Sequence, residues 1–162
     1  MYPCTYQWKL PAKAAQQAAS RGDILALQAA MFALNDGASN ADMCHLEHHF
    51  APGMYGRQCT LPAGSVVVGK IHRHAHLNVV IKGHAKVATE FGSRDVRAGD
   101  VFVSEPGAKR AVYAVEETVW ITVHTNPTDT RDLAEIENHV IAPCYEALAF
   151  DETRMIANEV LQ

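Results

Sequence analysis

The chain has 162 residues, one domain's worth of material and enough to bury a full hydrophobic core. Hydrophobic residues make up 48% and charged residues 20%, which excludes disorder or a collagen-like repeat as the main architecture. Fourteen Lys and Arg against eighteen Asp and Glu leave a formal net charge of −4, which argues against a general electrostatic grip on nucleic acid or an anionic membrane. The compositional excess is nine histidines, and it directs attention to metal or proton chemistry.

Residues 12–34 are rich in Ala, Gln and Leu and are interrupted at Gly22 and Asp23. They read as two helices or one broken helix, with Asp23 capping a segment that starts at Ile24. Ile24, Leu27, Ala30, Met31 and Leu34 recur at steps of three and four, so one side of this helix is expected on a partner surface. That surface is either the chain's own β-domain or an oligomer contact. Asn35, Asp36 and Gly37 then stop the helix.

After Asn40 the chain changes to short runs of Val, Ile, Thr and aromatic residues punctuated by Pro and Gly, the signature of an antiparallel β-fold. The expected strands are Met54 to Leu61, Ser65 to His72, Leu77 to Ile81, Ala85 to Phe91, Asp95 to Arg97, Val101 to Ser104, Arg110 to Val115 and Thr118 to Thr125. Turn-forming residues separate them, and about eight such strands suit a jelly roll or small barrel. A short helix is expected from Thr130 to His139, capped near Thr128 or Asp129. The domain plan is thus a helical arm over 1–40, a barrel with its following helix over 41–145, and a tail over 146–162.

Cys4, Cys44, Cys59 and Cys144 form no C-x-x-C pair and read as buried or half-exposed thiols in a reducing compartment. The start, MYPCTYQWKL, is unlike a signal peptide, and no apolar run of about 18 residues is present, so a membrane-spanning role is not expected.

The strongest chemical signal is Gly69-Lys70-Ile71-His72-Arg73-His74-Ala75-His76-Leu77-Asn78. In an extended strand, side chains two residues apart share a face, so His72, His74 and His76 would line one wall. Neighbouring imidazoles of this kind can ligate Zn, Fe, Ni, Mn or Cu, which makes a divalent transition metal the expected cofactor. The alternative is that one or two of them only hydrogen-bond within a polar cavity.

The order Pro62-x-Gly64, His72-x-His74-x-His76, an apolar strand ending at Gly83, then Gly99-Asp100-Val101-Phe102-Val103 and Pro106-Gly107 resembles the two sequence motifs of the cupin superfamily. More narrowly, four stretches resemble small cupin-like proteins of tailed bacteriophages. They are His48-His49-Phe50-Ala51-Pro52-Gly53-Met54-Tyr55-Gly56-Arg57, Gly69-Lys70-Ile71-His72, Pro106-Gly107-Ala108-Lys109-Arg110-Ala111 and Glu117-Thr118-Val119-Trp120-Ile121-Thr122-Val123-His124. The resemblance spans about residues 42–145 and implies a mainly β, cupin/jelly-roll barrel. Cupins with a metal usually offer two His and a carboxylate from the first motif and one His from the second. Here His76, or Asn78 if the loop is shorter, stands at the carboxylate position, and Arg110 stands at the second-motif His position. A guanidinium cannot ligate a cation, but its forked donors suit a small anion such as phosphate or carboxylate.

A replacement ligand comes from His124. If Arg110 to Val115 and Thr118 to Thr125 form a hairpin turning at Glu116-Glu117, paired positions sum to about 233 and His124 returns near Arg110. Within that strand Thr118, Trp120, Thr122 and His124 share one face. The candidate metal ligands are therefore His72, His74, His76 and His124. Arg110, Tyr55, Arg57, Trp120 and Thr122 are the candidate residues for a small anionic ligand.

His45, His48 and His49 are expected on a lead-in strand pinned by hydrogen bonds, and Glu90 and Glu105 are candidate general bases near strand ends. No phosphate-cradling loop, G-x-S-x-G elbow or aromatic-interleaved basic stripe is present. Two functional classes remain. The resemblance to phage proteins implies a virion, assembly or host-interaction module in the host cytoplasm or the particle, with copies of itself or other phage proteins as partners. The alternative is a metal-dependent cupin enzyme of dioxygenase, isomerase or lyase type, acting on a small polar substrate.

Overall fold

A computed structural model describes residues 19–34 and 44–148 of the chain. Residues 12–18 of the expected helical region, the Asn35-Asp36-Gly37 stop, Cys4 and most of the expected C-terminal tail lie outside these residues.

The described helix, α1 (Arg21–Leu34), runs continuously through Gly22 and Asp23. Ser20, not Asp23, caps it. Asp23 N–H donates to Ser20 Oγ at 3.1 Å while Ser20 N–H donates to Asp23 Oδ2 at 2.9 Å, a reciprocal capping box that satisfies donors at the helix start. Arg21 fixes this end to the β-domain by pairing with Glu90 and lying over the Tyr145 ring. Of the apolar stripe expected to be covered, Ile24 is buried, Met31 is half-buried, and Leu27, Ala30 and Leu34 are exposed among the described residues.

The strands are β1 (His45–Ala51), β2 (Met54–Leu61), β3 (Val66–Val68), β4 (Ile71–His72), β5 (His76–Lys82), β6 (His84–Thr89), β7 (Gly92–Arg97), β8 (Val101–Ser104), β9 (Ala111–Ala114) and β10 (Thr118–Thr125). Helix α2 (Leu133–Val140) and the short β11 (Ile141–Ala142) follow. They form a five-stranded sheet in the order β1-β2-β10-β5-β8, a four-stranded sheet β3-β9-β6-β7, and the pair β11-β4. All pairings are antiparallel. This is the expected mainly β, jelly-roll-like architecture, with the two large sheets facing each other and not closed into one continuous hydrogen-bonded barrel.

Strand alternation builds the core. Leu61, Val80, Phe102 and Trp120 point inward from the five-stranded sheet, and Ala85, Val87, Val96, Val112 and Ala114 meet them from the other. Phe102 and Trp120 pack edge to face at 5.4 Å between centroids.

Four sequence expectations need correcting. β9 and β10 do not form a hairpin: β9 pairs with β3 and β6, whereas β10 pairs with β2 and β5. Glu116-Glu117 is therefore a crossover between sheets. It lies against the second crossover, at Gly83, where φ is 86° and an added Cβ would sit 2.2 Å from Glu117 O, so a glycine is required. The expected strand from Ser65 to His72 is divided: Gly69 N–H still follows β9, donating to Arg110 O at 2.8 Å, whereas Ile71 and His72 change partner and pair with β11. The turn placed at Gly92-Ser93 falls earlier, between Thr89 and Gly92. Finally, Asp132 caps α2, its Oδ1 accepting from Ala134 N–H at 2.9 Å, while Asp129 instead accepts from Gly53 N–H at 2.6 Å.

Cys44, Cys59 and Cys144 are free thiols, and burial pushes the Cys59 thiol up to about 12. No described helix is long and apolar enough to cross a membrane.

Candidate metal centre

The register of β5 brings chemistry to one rim of the sandwich. His76, Asn78 and Val80 point inward, and His76 lies opposite Ser104 of β8. On the other side of β5, Val123 pairs with Leu77, which sets His124 of β10 beside His76. His72 arrives from β4, which is held by β11 through the pairing of His72 with Ile141. Gly107 N–H donates to His72 O at 2.8 Å and secures the other side of this segment.

His72, His76 and His124 converge. Their ring centroids are 4.1 Å apart for His72 and His76, 4.6 Å for His76 and His124, and 5.4 Å for His72 and His124. One ligand nitrogen from each lies within 4.8 Å of the others. His74 does not join them. The pleat is broken between β4 and β5, where Arg73 N–H donates to Val140 O at 2.9 Å and Arg73 Nε–H to Ile141 O at 2.8 Å. His74 is thereby turned outward, with its ring 5.1 Å from that of His139.

All three converging imidazoles are held neutral. Burial, then the charges of neighbouring His76, Arg110, His124 and Arg57, pushes His72 down to about 2. Burial and Arg110 push His76 down to about 3, and burial, Arg110 and Arg57 push His124 down to about 4. The His72 Nδ1 atom is buried without a hydrogen-bond partner. A neutral imidazole with an unused buried nitrogen is the form a metal ligand needs, so His72 is ready to ligate. Three neutral imidazoles are a donor type that suits a divalent transition metal once His76 is released from Arg110.

Behind the histidines lies a buried guanidinium. Arg110 Nη1 donates to Asn78 Oδ1 at 2.5 Å and to Ser104 Oγ at 3.1 Å, and its Nη2 donates to His76 Nε2 at 3.1 Å. Trp120 Nε1–H shares the same Asn78 oxygen at 3.1 Å, with the Arg110 charge 5.2 Å from its ring centre. Among the described residues no carboxylate pairs with Arg110, and the charges it feels, those of Arg57 and Arg94, are repulsive. Burial and these cations lower it to about 10, which leaves it protonated at neutral pH.

The other singled-out residues take lesser places. Tyr55 is buried in a second cluster with Ile136 and Val140, its hydroxyl 2.7 Å from His48 Nδ1 and its ring 6.2 Å from His124. Arg57 is exposed, yet near enough for its charge to act on His72, His124 and Arg110. Trp120 is a core wall, and Thr122 donates to Arg57 O at 3.4 Å. His48 and His49 pin β1 to β2, as the lead-in reading expects, through Tyr55 and Gln58. Neither candidate general base reaches the cluster: Glu90 is paired with Arg21, and Glu105 is exposed in the turn before Gly107. Sequence reasoning underweighted Asn78 and missed Ser104. The usable signal was a polar residue at each inward position of β5 and β8 nearest the rim.

No protein-family profile and no curated protein sequence matches the chain. Solved structures similar to it include cupin proteins. A Cupin 2 conserved barrel domain protein from Salinispora arenicola is 18% identical, with 57% of this chain and 84% of that one covered at a TM-score of 0.46. KdgF from Halomonas sp. is 19% identical, covering 59% of this chain and 86% of that one at 0.47. The plu4264 protein from Photorhabdus luminescens is 16% identical, covering 63% and 92% at 0.49.

Proposed function

We propose that the chain is a cupin-type barrel that binds a divalent transition metal on His72, His76 and His124 and acts as a ligand-binding module. The observation that supports this most is the convergence of three neutral imidazoles, one of which, His72, has a buried and unpartnered Nδ1. The bound ion would supply Lewis-acid polarisation of a coordinated oxygen. Asn78 and Trp120 orient Arg110 beside the centre, and Arg57 adds positive potential, so an anionic ligand is the class favoured there. A binding role is favoured over catalysis because neither Glu90 nor Glu105, the acids singled out as bases, touches the cluster.

Elemental analysis after gentle purification tests the metal. About one ion per chain is expected in the wild type, with none in the double variant His72→Ala, His124→Ala. A metal-free wild type, or a variant that retains its ion, overturns the reading. A role in a phage particle or its assembly rests on the sequence resemblance. If the protein is a virion component, mass spectrometry of purified particles finds it at stoichiometric copy number, and its absence there ends the virion role.

A further inference from the structure

The hydrogen bond between Arg110 and His76 constrains how a metal can enter. A guanidinium only donates, so the 3.1 Å contact from Arg110 Nη2 makes His76 Nε2 an acceptor and puts the ring proton on Nδ1, which faces His74 O at 3.3 Å. In this state neither nitrogen of His76 is open to an ion. Nε2 has its lone pair committed, and Nδ1 carries the proton. A metal on Nε2 displaces the guanidinium directly. A metal on Nδ1 moves the proton to Nε2, where it would face the Arg110 donor. Either way the Arg110 contact has to open, and the guanidinium needs another acceptor.

Among the described residues the surroundings supply none of opposite charge. Arg110 is buried, its other contacts are the neutral Asn78 and Ser104, and Arg57 and Arg94 are the charges acting on it. A divalent cation entering beside it adds a further positive charge in a poorly solvated place. We infer that the centre takes its metal together with a small oxyanion, which accepts from Arg110 and frees His76 for the ion. Metal and anion therefore bind with positive coupling, and Arg110 acts as the positioning residue that links them. This rests on the three-histidine reading above and adds to it a ligand class and a binding order.

Cobalt(II) is the metal probe and sulfate the anion, compared with chloride at equal ionic strength. Calorimetric titration of the wild type is expected to show cobalt binding about tenfold or more tighter in sulfate. Sulfate should bind the cobalt-loaded protein more tightly than the metal-free protein by the same factor, because such coupling is reciprocal. In Arg110→Met, cobalt should bind more tightly than to the wild type in chloride, and the sulfate effect should vanish. Equal cobalt affinity of the wild type in the two salts overturns the inference. So does a folded Arg110→Met protein that keeps the sulfate effect. The wild-type comparison needs no variant, so it decides the matter even if Arg110→Met fails to fold. Loss of cobalt binding in His72→Ala separates the two levels: if that variant binds cobalt as the wild type does, the three-histidine reading itself fails.

Discussion

Acidifying the metal-free protein from about pH 6.5 toward pH 4 is expected to unfold it. His72, His76 and His124 have folded-state values of about 2, 3 and 4, well below the ordinary histidine value of 6.5. Over this window the unfolded chain binds protons at these three positions and the folded chain does not, so stability rises with pH and falls as pH is lowered. Each such histidine contributes about 1.4 kcal/mol per pH unit. Three acting together remove about 4 kcal/mol per unit, against a whole-domain stability of roughly 5–15 kcal/mol. The contribution is complete above about pH 6.5 and is lost progressively on the way to the folded-state values. Urea unfolding followed by tryptophan fluorescence, in the presence of a chelator and at a series of pH values, measures it. His124→Gln should flatten the slope by about one histidine's share. A stability that stays level from pH 6.5 to 4 would show that the rings are not buried as described.

Asn78→Ala is expected to cost about 3–5 kcal/mol, more than a typical core truncation of that size. Asn78 is fully buried, and its Oδ1 accepts from both Arg110 and Trp120 while its Nδ2 donates to Ser104 Oγ at 3.0 Å. Removing the amide leaves a buried guanidinium and an indole N–H without their shared acceptor. Asn78→Asp keeps an oxygen there and adds a counter-charge for Arg110, so it should destabilise far less than Asn78→Ala at neutral pH. Denaturant midpoints of the two variants beside the wild type check the order. An Asn78→Ala protein as stable as the wild type would mean that the Arg110 contacts have no energetic weight.

Alternation made much of this readable from sequence. Thr118, Trp120 and His124 face inward from β10, and Phe102 and Ser104 from β8, as a period of two requires. The joints between elements were not readable. A strict pleat from His72 to His76 makes His74 a wall residue, but β11 and α2, nearly seventy residues later, take hydrogen bonds from Arg73 and break that pleat. Likewise, two residues between β-rich runs signal a hairpin, yet in this sandwich the Glu116-Glu117 link crosses from one sheet to the other. His124 still reaches the rim because β10 pairs with β5, a non-local register that the turn chemistry does not encode. The environment of Arg110 depends on the same register, since Asn78 and Ser104 come from separate strands.

X-ray absorption of the cobalt-loaded protein tests the three-imidazole centre most directly. The spectrum should contain the outer-shell scattering of three histidine rings, from His72, His76 and His124, and should lose one ring's share in His124→Ala while His74→Ala leaves it unchanged. A cobalt ion with fewer than three imidazoles in the wild type, or one that loses a ring in His74→Ala and none in His124→Ala, would contradict the account.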